Sequence, residues 1–166
     1  MRKIMGTVLL GGALWLVPAT ANGQLAIGAN LSLGTDSDLG VGARLLVGLG
    51  EAVRHLEGIG SFDYFFPGEN VNWWELNANV VLPVAVTSGF HPYLGAGLNL
   101  TNTSVDVVDG TPGFTDDGGE TDVGLNLVGG MKLPTSGAVP FLEVRTTIGG
   151  GSQVVLTAGL LFGSVE

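Results

Sequence analysis

Two histidines, His55 and His91, are the residues of this chain best suited to acid–base or metal chemistry at neutral pH. Each falls in a predicted turn with no patterned serine and acid beside it. Catalysis needs a nucleophile, a base and an orienting group within hydrogen-bond reach. The sequence therefore predicts neither an enzyme nor a bound cofactor. Asp106, Asp109, Asp116, Asp117 and Glu120 lie in one acidic stretch, and their oxygens could gather a hard cation such as calcium. Their spacing matches no EF-hand loop, and a solvated acidic loop is the simpler reading. The glycine-rich segments are not phosphate loops, because no strand-to-helix context follows them.

The remaining charges sit in alternating segments, which sets their chemistry. Pro140 to Ile148 carries Leu142, Val144, Thr146 and Ile148 on one face and Phe141, Glu143, Arg145 and Thr147 on the other. The glutamate and arginine are thus roughly 7 Å apart on one side of a strand. The same alternation recurs seven more times. Strand 1 reads Leu25 to Gly34, strand 2 Leu39 to Gly50, strand 3 Gly58 to Phe66, and strand 4 starts near Asn72 with Pro83 close to its end. Strand 5 reads Pro92 to Thr101 and strand 6 Thr121 to Leu133. Strand 7 is the segment just described, and strand 8 follows Gly149-Gly150-Gly151 and runs through Phe162. Glu51 to Glu57 is read as a polar link and Asn102 to Glu120 as the one long connection. Consecutive hairpins with no crossover helix predict an antiparallel meander, and eight such strands can close and so remove their edges.

Which face turns outward decides between a membrane barrel and a lipocalin-like soluble carrier of an apolar ligand. One face of every strand is free of charge. The other holds mainly Gly, Asn, Ser and Thr, plus Arg44, Asp63, Glu75, Asp122, Lys132, Glu143 and Arg145. Those seven charges are too few for a solvated exterior. They suit the interior of an eight-stranded barrel, which is wide enough only for side chains. A mean hydropathy of +0.44 without long apolar runs after the first 21 residues fits dispersed membrane strands. The fold expected is an all-β, eight-stranded, up-and-down transmembrane β-barrel. An unpaired buried ion is costly, so the inward charges should form an ion-pair network centred on Glu143, Arg145, Glu75 and Arg44 that plugs the lumen. A narrow passive channel for small solutes is the alternative. Aromatic residues gather in two groups, Phe65, Phe66, Trp73 and Trp74 around the strand 3 to 4 connection, and Phe90, Tyr93, Phe141 and Phe162 near the opposite strand ends. These are read as two interfacial belts.

Met1-Arg2-Lys3, the apolar stretch Met5 to Val17 and Pro18-Ala19-Thr20-Ala21 read as a secretory signal peptide over residues 1–21, leaving a single domain over 22–166. That domain carries four basic residues against 15 acidic ones, a formal charge of −11, which argues against nucleic acid as a partner. The chain has no cysteine, so no disulfide or thiolate metal site contributes.

Four segments carry a family resemblance: His91-Pro92-Tyr93-Leu94-Gly95-Ala96-Gly97-Leu98, Thr121-Asp122-Val123-Gly124-Leu125-Asn126 with Gly129-Gly130, Pro140 to Arg145, and Leu156-Thr157-Ala158-Gly159-Leu160-Leu161-Phe162. Together they resemble the outer membrane β-barrel domain family, which includes the OmpA transmembrane domain and the opacity-type porins. The resemblance implies a barrel in the outer membrane of a diderm bacterium with both termini in the periplasm. It also implies contact with outer membrane lipid and lipopolysaccharide, recognition by the barrel assembly machinery, and an external surface at the 102–120 loop. Two features depart from the family: Gly163-Ser164-Val165-Glu166 follow Phe162 where members commonly finish on an aromatic residue, and no peptidoglycan-binding segment follows the barrel, so an anchoring role is not expected.

Overall fold

The structure, a computed structural model, describes residues 24–49, 53, 55–68, 71–86, 89–105, 119–133 and 135–164. The expected leader and Asp106, Asp109, Asp116 and Asp117 lie outside the described residues. Eight strands form one closed antiparallel barrel in sequence order: β1 (Leu25–Gly34), β2 (Asp38–Gly48), β3 (Glu57–Phe65), β4 (Val71–Pro83), β5 (His91–Val105), β6 (Glu120–Lys132), β7 (Ala138–Gly149) and β8 (Gln153–Gly163). The ring closes where β1 pairs with β8, from Ala26 opposite Gly163 to Gly34 opposite Val155. Closure removes both sheet edges, so no row of unpaired backbone amides is left along the wall.

Strand bounds differ from the sequence reading by a few residues, and two differences matter. Glu57, read as part of a polar link, is the first residue of β3 and its side chain is buried. The 102–120 connection is shorter than expected, because Asn102 to Val105 continue β5 and pair with Trp74 to Val71 of β4. Pro83 is the last residue of β4, where its missing N–H breaks no further ladder bond.

Tight turns need backbone that few residues tolerate. After the β1 to β2 turn, Asp38 takes φ 56°, a left-handed conformation that Asp adopts more readily than most. In the β7 to β8 turn Gly151 does the same with φ 65°.

Side chains alternate in and out along every strand. Leu98 is 57% exposed and Leu142 45%, whereas Glu143 is 3% exposed and Arg145 2%. The outward face of β5 stays apolar from Leu94 to Leu100, then gives way to Asn102, whose Nδ2 donates to Thr121 Oγ1 at 2.8 Å. About ten strand residues at roughly 3.3 Å each, tilted by about 40–45°, cross about 25 Å, the height of the apolar band on a membrane barrel.

The lumen has two zones. At the end holding the β1 N-terminus and the β8 C-terminus, every strand contributes to an apolar collar: Ala26, Leu46, Ile59, Val81, Tyr93, Val128, Val139 with Phe141, and Leu161. Toward the hairpin end defined by the β1 to β2 turn the filling is mainly polar, with the buried Phe65 and Val155 among it. Large inward rings face glycines on the adjacent strand, Phe65 opposite Gly40, Tyr93 opposite Gly130 and Phe141 opposite Gly159. A Cβ at Gly130 would lie 2.5 Å from the Tyr93 ring, and one at Gly159 2.6 Å from Phe141. Gly60 faces outward, where the nearest atom to a Cβ is 4.0 Å away.

Gly130→Ala and Gly159→Ala should each lower the free energy of unfolding by about 1–3 kcal/mol through overpacking. Gly60→Ala should leave it unchanged or raise it slightly. Urea unfolding in lipid vesicles measures all three, and equal effects at the three positions would contradict the inward and outward assignment.

Candidate functional site: the charged lumen

The inward charges belong to strands far apart in sequence, so their partners are set by where the closed wall carries them. Arg44 of β2 reaches across the lumen to Glu143 of β7 in a bidentate pair, Nη2 to Oε1 at 2.6 Å and Nη1 to Oε2 at 2.8 Å. A fork-to-carboxylate pair of this kind fixes direction as well as charge. Tyr93 Oη donates to Glu143 Oε2 at 2.7 Å, and the Arg44 guanidinium lies 4.2 Å from the centre of the Phe141 ring. Arg44 Nη1 also donates to Tyr93 Oη at 3.5 Å, so Arg44 is held by a carboxylate, a phenol oxygen and an aromatic face.

Arg145 takes a different acid, although it lies two residues from Glu143. Its Nη2 donates to Glu75 Oε2 at 2.6 Å and is 4.0 Å from Asp63 Oδ2. Glu75 also accepts from Trp73 Nε1 at 3.3 Å and from Gln153 Nε2, and Gln153 Oε1 accepts from Ser37 Oγ at 2.8 Å. Asp63 accepts from Asn30, Ser32, Ser61 and Asn77. Asn77 Oδ1 in turn accepts from both Asn99 and Asn126. One connected set of polar side chains therefore runs from the β1 to β2 turn to mid-barrel, each buried carboxylate surrounded by donors as its desolvation requires.

Lys132 forms the third buried pair, with both oxygens of Glu57 at 2.6 and 2.8 Å. Glu57 was absent from the expected set. Its parity with Ile59, Ser61 and Asp63 was the signal that puts it on the inner face, and the neighbouring polar link obscured it. Asp122, expected in the network, is half-buried beside Gly150 and has no cation within ion-pair distance among the described residues. Glu120 is exposed at the start of β6, so among the five acids of the metal reading it alone has a described position.

The aromatic belts need correction. Tyr93, Phe141 and Phe65 are buried in the lumen, and Trp73 turns inward to Glu75. Their parity matches the glycine and asparagine positions of their strands, and position near a strand end is the weaker signal. Phe66, Phe90 and Phe162 are exposed, and Trp74 stacks on Phe62 with centroids 6.1 Å apart. Tyr64 and Phe66 meet edge to face at 5.2 Å, so the outward aromatics of the hairpin end concentrate on β3 and β4.

By sequence the chain matches no protein-family model and no curated protein. By structure it is similar to the N-terminal β-barrel domain of Pseudomonas aeruginosa OprF, over 86% of this chain and 99% of that one, with 14% identity and a TM-score of 0.61. Neisserial surface protein A (NspA) aligns over 87% and 98%, with 18% identity and a TM-score of 0.62. Ail, the attachment invasion locus protein of Yersinia pestis in complex with the heparin analogue sucrose octasulfate, aligns over 85% and 95%, with 14% identity and a TM-score of 0.54. At such identities the likeness carries the fold, which is that of the eight-stranded outer membrane barrels.

Removing one member of a buried pair strands the other. Arg44→Ala should destabilise by about 3–5 kcal/mol, and Arg44→Met combined with Glu143→Leu should cost less than Arg44→Ala alone. Urea midpoints in vesicles give the comparison, and additive losses in the double variant would count against a coupled pair.

Proposed function

We propose that this is a non-enzymatic outer membrane protein, a β-barrel that holds its hairpins at the cell surface as contact sites and keeps its lumen closed. A leader over residues 1–21 directs export, both termini lie in the periplasm, and the β1 to β2, β3 to β4, β5 to β6 and β7 to β8 connections face outward. The β5 to β6 hairpin has the longest connection, which accords with long external and short periplasmic loops in membrane barrels. Its acidic segment is the contact surface toward lipopolysaccharide, a host or the environment, and the apolar wall meets outer membrane lipid after delivery by the barrel assembly machinery.

The observation that carries this reading is the inversion of the wall, greasy outside and charged within. A charged side chain at mid-membrane on the lipid face costs roughly 2–4 kcal/mol, and the exposed outward positions from Leu94 to Leu100 hold none. A soluble carrier of an apolar ligand would need the opposite arrangement, with an apolar cavity and a charged exterior. No described helix is long and apolar enough to cross a membrane. The lumen supports a closed barrel over a passive channel, because three ion pairs and their polar neighbours fill it.

The refolded protein should migrate faster on a denaturing gel when unheated than when boiled, and should give no stable conductance in planar bilayers. Leu98→Arg should reduce stability in vesicles by about 2–4 kcal/mol. Identical migration with and without boiling, together with solubility in the absence of detergent, would remove the membrane assignment. Large, steady channels from the wild type would replace the closed barrel with a pore.

A further inference from the structure

The outward side chains of β4 and β5 are uneven in size, and the unevenness leaves a hollow. On β4 the outward positions are Trp74, Leu76, Ala78, Val80 and Leu82, so one methyl group stands in a row of larger side chains. Ala78 lies opposite Leu98 on one side and Gly60 on the other, and a Cβ at Gly60 would meet no atom closer than 4.0 Å. The result is a depression of about 220 Å³ in the outer wall, lined by Leu76, Ala78, Leu98, Leu100 and Val123. Asn77 and Asn99 lie beneath it with their side chains turned into the lumen, where Asn99 donates to Asn77. Toward the hairpin end stand Phe62, opposite Leu76, and the Trp74 ring stacked on it.

Depth and size together select the occupant. Trp74 and Asn102 lie opposite each other at the level where the outward face turns polar. Leu98 is four residues from Asn102, which is roughly 13 Å along the strand and about 10 Å along the membrane normal at a tilt of about 40°. That is inside the ~15 Å of hydrocarbon belonging to one leaflet. A second copy of this chain is the poorer occupant, because seven lining residues fall far short of the roughly 20–30 a side that a stable protein interface uses. Headgroup charge has little to act on. Arg44, Lys132 and Arg145 are all turned inward and paired, so no described lysine or arginine stands at the polar edge to hold a phosphate.

We infer that this depression seats one acyl chain of a lipid in the hairpin-side leaflet, held by chain packing and not by its headgroup. This rests on the membrane reading above and adds one particular lipid contact to it. Lipid tails are as apolar as leucine, so contact rather than water exclusion favours the seated chain, and a hollow left unfilled forfeits dispersion contacts for every atom lining it. The glycerol end of that chain lies level with Trp74 and with Asn102, which donates to Thr121 at 2.8 Å.

Native mass spectrometry of the full chain, released from short-chain detergent doped with phosphatidylcholine, should show one retained lipid per barrel. Phosphatidylglycerol in its place should be retained to within about twofold. Ala78→Leu, which fills the depression, should lower the retained fraction by about fivefold or more, and the smaller filling Ala78→Val should lower it by less. Ala158→Leu, at an exposed outward alanine of β8, should leave it unchanged. Heat-dependent migration on a denaturing gel shows which variants fold. No retained lipid on the wild type, undiminished retention in the folded Ala78 variants, or retention of the anionic lipid alone would overturn the seat and leave the membrane barrel standing. A chain that stays dissolved without detergent would overturn the membrane reading itself.

Discussion

The structure depends on one constraint: a wall with an apolar exterior cannot leave backbone N–H and C=O groups unpaired where no water reaches them. Pairing β1 with β8 meets it, and eight strands then fix a lumen just wide enough for side chains. The rest follows from that volume. The most deeply buried rings lie opposite glycines, as Tyr93 does against Gly130. Ions can enter only with partners, and the partner must come from across the barrel. Glu143 and Arg145, two residues apart, bind Arg44 of β2 and Glu75 of β4 rather than each other.

The interior is divided along its axis. At the hairpin end, carboxylates are surrounded by amides and hydroxyls, and Asp63 alone accepts from four side chains. At the other end a ring of aliphatic and aromatic side chains lines the lumen, with Lys132 and Glu57 paired at its level. Such a pair gives weak net stability, because desolvating two charges offsets much of their attraction. Its value lies in register: sliding a neighbouring strand by one residue would turn every inward group of that strand outward.

Much of this was legible in the sequence because a strand has a period of two and the two faces differ in kind. The faces of β4, β6 and β7 follow from alternation alone, and so does the closed antiparallel order once no crossover helix is found. The partners were not legible. That Arg44 meets Glu143, five strands away, depends on the stagger of the whole ring, which no local segment encodes. Glu57 was lost because strand ends blur into polar turns. Tyr93 and Phe141 were misplaced because a belt of aromatics is a rule about height, whereas parity is a rule about direction, and parity governs which way a side chain points.

The central claim concerns which face meets lipid, and carbene photolabelling from within the bilayer tests it on the unaltered protein. A reagent dissolved in the acyl chains, activated after refolding into vesicles and mapped by mass spectrometry, should modify Leu98, Leu125, Leu142 and Val144 and spare Phe141, Glu143 and Arg145. Labelling of Phe141 and Glu143 with Leu142 and Val144 untouched, or a protein that stays in water and takes up no label, would contradict the account.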